Sequence, residues 1–194
     1  DENGQRSKVT NYNADGSIDY LTEYDENGHM INSVIKSYDG TYEETNYTNE
    51  YDANGNLTRA VKTSEVDDSI NQESVTEYEY DANGNMLKEI SKSEYGTSSM
   101  ECEYDTNGNR IKEVYSSVSD YGSLRSETVY EYDDDGNCIN ETLIDNEGKS
   151  SYTESEYDEN GNCIKETRYD ENGEITRQTE TEYISFEVPK TDKE

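Results

Sequence analysis

Carboxylates and side-chain amides recur in this chain at a fixed spacing that oxygen chemistry could use. The words are "YDENGH" from Tyr24, "YDANGN" from Tyr51 and again from Tyr80, "YDTNGN" from Tyr104, "YDDDGN" from Tyr132, "YDENGN" from Tyr157 and "YDENGE" from Tyr169. Clustered oxygens of this kind resemble a calcium loop. An EF-hand loop needs alternating oxygen ligands and a glutamate at its twelfth place. Here the next regular acidic residue comes too early and falls on a predicted strand. The densest cluster, "DDDGN" at Asp133–Asn137, has the same defect. The word is therefore read as turn chemistry, and neither a metal nor a cofactor is called for.

Other chemistries fare no better. His29 is the only histidine, directly after a turn glycine, and is expected to be exposed and inert. No serine–histidine–aspartate or cysteine–histidine set can be completed around it, and no phosphate loop is present. Carboxylates are so common that none stands out as an acid–base pair. The chain is not expected to be an enzyme. Cys138 and Cys163 hold equivalent places in consecutive repeats. Two strands apart they would be separated by roughly 9–10 Å, beyond the reach of about 7 Å that a disulfide allows. Cys102 lies on a different column. All three are expected to be small packed side chains.

The one feature with a plausible binding role is a column of tyrosines: Tyr24, Tyr51, Tyr80, Tyr104, Tyr132 and Tyr157. Aligned rings could stack on sugars or pack a partner's strand. The competing reading makes them the sheet's substitute for a core.

The elements that position these residues are legible. In D-x-N-G the aspartate accepts hydrogen bonds from amides two residues on. Glycine takes positive φ without steric cost. That order builds a type I turn closed by a left-handed glycine, a common link between antiparallel strands. The flanks, such as "TEYEY" before and "NMLKEI" after, alternate aromatic or β-branched residues with charge, the period-2 mark of half-buried strands. Weaker turns lie between: "NADG" at Asn13, "YDGT" at Tyr38, "DDSIN" at Asp67, "EYGT" at Glu94, "DYGS" at Asp120 and "DNEG" at Asp145. The six tyrosines are 27, 29, 24, 28 and 25 residues apart, so each period holds two strands and two turns. The expected fold is all-β: a continuous antiparallel meander of about 14 strands in a single curved or coiled sheet. The repeats would occupy residues 1–188, with 189–194 as a tail.

Two registers fit the words. A four-residue loop places Glu77 opposite Lys88, Glu101 opposite Lys112 and Glu154 opposite Lys165, and puts the tyrosines on one face with Ile31, Thr58, Leu87, Ile111, Ile139 and Ile164. This charge match favours it. A three-residue loop with a G1 bulge instead pairs the tyrosines with Met30, Leu57, Met86, Cys138 and Cys163.

Composition narrows the partners. The 194 residues carry a net charge of −31 and are 28% hydrophobic, with 19 tyrosines and no tryptophan. So acidic a chain is unsuited to nucleic acid, whose phosphates need clustered Lys and Arg. It is equally unsuited to an anionic membrane surface. A membrane enters only through a lipid anchor upstream of residue 1. The opening "DENGQ" is the repeated word without its tyrosine, which suggests a chain cut inside or just before a repeat.

The words "EYDANGNL", "EYDTNGNRI" and "EYDENGNCI" resemble the YD repeats of RHS-type bacterial surface and toxin proteins, a module also found in animal teneurins. The likeness covers most of the chain. It implies β-hairpins wound into a curved sheet, in a secreted or cell-surface protein. Asn mostly stands where that family has Arg after the glycine, and the segments that close and cleave a toxin shell are absent. The chain is closer to a short acidic relative, such as a bacterial envelope lipoprotein. The function this implies is a non-catalytic extracellular spacer or adhesion surface with a protein or carbohydrate partner. The alternative is a glycan-binding module that uses the tyrosine face.

Overall fold

The computed structural model describes residues 6–36, 40–66 and 69–183. The weak turns at Tyr38 and Asp67 fall partly outside these residues, as does the boundary expected at residue 188. The described chain is all-β. The first seven strands are β1 (Lys8–Tyr12), β2 (Ile18–Tyr24), β3 (Met30–Lys36), β4 (Tyr42–Tyr51), β5 (Leu57–Val66), β6 (Ser69–Tyr80) and β7 (Met86–Ser93). The rest are β8 (Gly96–Tyr104), β9 (Arg110–Ser119), β10 (Gly122–Tyr132), β11 (Cys138–Ile144), β12 (Ser150–Tyr157), β13 (Cys163–Tyr169) and β14 (Ile175–Glu180). Their order in one antiparallel sheet is their order in the chain, and the sheet does not close into a barrel. The expected meander of 14 strands is what forms.

The chain falls into two compact units. One contains Asp1–Cys102 with Val114–Arg125, the other Glu103–Glu113 with Ser126–Glu194. Neither has a conventional core. Cys102 is the one buried hydrophobic side chain among the described residues. The first unit instead carries a ladder of small hydroxyl side chains: Thr22 pairs with Ser33, Ser33 with Thr45, and Thr45 with Ser64. Thr22, Thr45 and Ser64 are buried, and the Thr45 and Ser64 hydroxyls lie 3.1 Å apart. The buried Thr45 and Ser64 hydroxyls thus satisfy one another across the strands. Alternation along the strand sets Tyr20 and Tyr24 on the same face as Thr22, and Tyr47 on that of Thr45. The adjacent residues of the other face are mostly charged and exposed, among them Glu50, Glu79, Glu103, Glu131 and Glu156.

The register corrects the favoured expectation. In each word the glycine amide donates to the aspartate carbonyl, as Gly55 does to Asp52 at 3.1 Å, and the aspartate amide donates to the residue after glycine, as Asp52 does to Asn56 at 3.0 Å. This is the three-residue loop with a G1 bulge. It pairs Tyr24 with Met30, Tyr51 with Leu57, Tyr80 with Met86, Tyr132 with Cys138 and Tyr157 with Cys163. The ladder then slips by one: Glu50 faces Arg59 and Glu79 faces Lys88. Ile31, Thr58, Leu87, Ile139 and Ile164 are the extra residues of these bulges. They do not line the tyrosine face; Ile31, Leu87 and Ile139 are exposed. Thr58 spans its bulge with a hydroxyl bond to the Glu50 carbonyl, 3.1 Å.

The ion pairs shift accordingly. Glu77 bonds Lys92 rather than Lys88, Lys88 bonds Glu101, Lys112 bonds Glu127 and Lys165 bonds Glu156 rather than Glu154. Several cations stand between two carboxylates: Arg59 between Glu50 and Glu77, Lys88 between Glu79 and Glu101, Lys165 between Glu156 and Glu180. Exposed pairs of this kind contribute about 0–1 kcal/mol each, so they tune the register more than they hold it.

Candidate functional site

The repeated word is chemically saturated. In the second word Asp52 Oδ1 accepts from the amides of Asn54 and Asn56, and Oδ2 accepts from the Asn56 side chain at 2.9 Å. The same three bonds recur at Asp81, Asp105, Asp133 and Asp158. The asparagine after glycine is therefore a working member of the turn. Its repetition at Asn56, Asn85, Asn109, Asn137 and Asn162 was the available signal, and reading the word only as far as its glycine passes over it. The donors hold these carboxyls below the ordinary aspartate range. At Asp52, Asp81, Asp133 and Asp158 the asparagine side chain is the main cause. At Asp105 burial pushes upward, but the Asn109 amide and side chain outweigh it. In the "DDDGN" cluster, the turn's own donors engage both oxygens of Asp133.

The six candidate tyrosines sit at the ends of even-numbered strands. Tyr24, Tyr51 and Tyr80 form a column in the first unit; Tyr104, Tyr132 and Tyr157 form one in the second. All are half-buried. Tyr132 donates its hydroxyl to the Arg110 carbonyl at 2.8 Å, and Tyr157 to the Cys138 carbonyl at 2.9 Å. Each acceptor lies two residues past the glycine of the preceding word, so the tyrosine latches its hairpin to the one before. Burial raises the phenol pKa at Tyr80, Tyr132 and Tyr157. Tyr157, on the strand between Cys138 and Cys163, stands opposite Cys163 and donates its hydroxyl to the Cys138 carbonyl. All three cysteines are free thiols.

The first word departs from those five words because His29 replaces the asparagine. Asp25 Oδ2 accepts no bond from the His29 ring and is taken instead by the Tyr51 hydroxyl and by Asn49 at 3.2 Å. Asn49 also donates to the Met30 carbonyl, 3.1 Å, the acceptor that a tyrosine uses in the later repeats. Burial raises the Asp25 carboxyl pKa, but the Tyr51, His29 and Asn49 donors outweigh it and the net shift is downward. Tyr51 is pushed up to about 12, by burial first and the Asp25 bond next. His29 is not the exposed residue expected from its place after a glycine. It is half-buried, 5.3 Å from the Tyr51 ring, and its Nδ1 is buried without a hydrogen-bond partner.

His29→Asn should restore the common word. The amide would bond Asp25 Oδ2 and an unsatisfied buried nitrogen would go. Such exchanges are worth about 1 kcal/mol, or about 2–4 °C for a chain of this length. Thermal melting should show that rise; a lower midpoint than the parent would mean that the histidine–tyrosine contact holds more than the missing bond.

The second unit also carries a groove of about 620 Å³ on the tyrosine face, lined among others by Tyr157, Thr153, Ser155, Glu141, Glu166 and Arg168. Arg168 is tied to Glu166 at 3.0 Å. Hydroxyls and carboxylates share its lining with Leu143 and the side chains of Tyr152, Tyr157 and Tyr169, so the groove is of mixed polarity and open to solvent. The chain matches no family model and no curated protein.

Proposed function

We propose that the chain is a non-catalytic repeat module, a β-hairpin spacer outside the cell that also offers an interaction surface. The observation that carries this is the internal closure of the repeat. Five of the six strong words spend both aspartate oxygens on their own turn, and the first spends one there and one on the next hairpin. The tyrosines at Tyr132 and Tyr157 are spent on the preceding hairpin. A unit that contacts only its neighbours can be repeated to any length. The extracellular placement rests on the likeness to YD repeats.

The test is to remove one period. Deleting Asp133–Tyr157 joins Tyr132 to Asp158 and regenerates an intact word. A spacer predicts a shorter protein that keeps a β-type circular dichroism spectrum and a cooperative melt. Loss of folded structure would mean that the hairpins depend on a global arrangement, and the spacer reading would fall.

The groove favours a second reading, a glycan-binding module, because sugars are met by hydroxyls, carboxylates and aromatic rings together. A glycan array decides it. Hits that vanish in a Glu166→Gln variant with unchanged melting would support it; an array without hits would remove it.

A further inference from the structure

Two of the weaker turns share a word of their own: Ser93-Glu94-Tyr95-Gly96 and Ser119-Asp120-Tyr121-Gly122. Most of its residues have a local task. The serine hydroxyls accept from the tyrosine amides, 3.2 Å at Ser93 and 3.3 Å at Ser119. The glycines adopt φ of 144° and 129°. At Gly96 a Cβ would stand 2.2 Å from the Val118 carbonyl oxygen, so glycine there lets the first tip lie directly against the second. The tyrosine rings and the acidic residues have no such task. Tyr121 is 100% exposed and Tyr95 60%, with Val118 beside them at 61%. Single exposed apolar residues are ordinary. The same acid–tyrosine pair on two abutting tips of one unit is a patch.

We infer that these twin tips are a docking clamp for arginine side chains on a basic protein partner. The argument is complementarity. A phenol ring takes a guanidinium on its face, and the preceding carboxylate takes its N–H donors. The chain combines the same groups within itself, from two neighbouring strands: Arg110 lies over the Tyr130 ring at 5.4 Å and bonds Glu113 at 2.6 Å. At the tips the same groups, Tyr95 with Glu94 and Tyr121 with Asp120, are turned to solvent. The nearby Lys92 is already engaged by Glu77. A net charge of −31 draws a basic partner to this surface. The inference deepens the interaction surface proposed above and rests on it.

The probes are two labelled peptides, one of eight arginines and one of eight lysines in the same glycine–serine frame, titrated by fluorescence anisotropy at 150 mM NaCl. Charge alone would treat them alike. Two ring contacts should favour the arginine peptide about fivefold to tenfold. Tyr95→Ser with Tyr121→Ser should abolish that preference with little change in the melting temperature, since Tyr121 is fully exposed and Tyr95 mostly so. A preference that survives in the double variant overturns the clamp and leaves the interaction reading standing. Equal binding of both peptides by the parent does the same. If the parent binds neither, both readings fall.

Discussion

Gly108→Val is expected to lower the melting temperature by about 2–8 °C, the equivalent of about 1–2 kcal/mol of backbone strain. Gly108 sits at φ of 89° with nothing within 4 Å of an added Cβ, and Gly84 at 88° meets only the Asn56 Oδ1 at 3.9 Å. Space is therefore not the obstacle at either turn. The cost is the left-handed backbone, which a β-branched residue resists most. Gly96 separates the two causes. Gly96→Ala adds a collision with the Val118 carbonyl to the strain, so it should melt below Gly108→Ala. Melts of the Gly108 variant that overlay the parent would remove the G1 bulge from the account; Gly96→Ala melting above Gly108→Ala would remove the close approach of the two tips.

Acid should unfold the protein through its turns. Asp52, Asp81, Asp105, Asp133, Asp158 and Asp170 all have carboxyl pKa values lowered in the folded chain. Their unfolded values lie near ~3.9. A group depressed on folding adds stability that is fully present above the unfolded pKa and is lost as pH falls through the folded one. The loss should therefore begin below about pH 4. A second effect runs the other way, because protonation also relieves the self-repulsion of a chain at −31. At 1 M NaCl the Debye length is about 3 Å, and that repulsion is largely screened. Under those conditions the midpoint should be nearly level from pH 8 to about 5 and fall steeply between about 4 and 2. A midpoint at pH 2.5 equal to that at pH 7 would show that the aspartate bonds do not hold the turns.

The turns, the strand count and the meander could be read from the sequence because each rests on local chemistry. D-x-N-G fixes a turn, alternation fixes a strand, and short links leave consecutive strands as neighbours. The register could not be read the same way. Glutamates stand at both Glu77 and Glu79, so Lys88 has a plausible partner in either alignment, and charge matching cannot separate them. The slip itself comes from the bulge after each turn, which inserts Ile31 or Leu87 without a partner and reverses the face assigned to that column. His29 escaped for a related reason. Its place after a glycine looks exposed in isolation, yet the neighbouring hairpin brings Tyr51 over it. The tyrosine column was visible as a pattern. Its hydroxyl acceptors were not, because they are backbone carbonyls of another hairpin.

The central claim is that the repeated word is a self-satisfied turn and not a ligand site. Melting in sodium or calcium chloride at matched ionic strength tests it most directly. Screening alone raises the midpoint equally in both salts, and the account predicts equal midpoints, with Asp133→Asn plus Asp135→Asn losing stability to the same extent in either. A rise specific to calcium that disappears in that double variant would contradict it, and would make "DDDGN" a binding site.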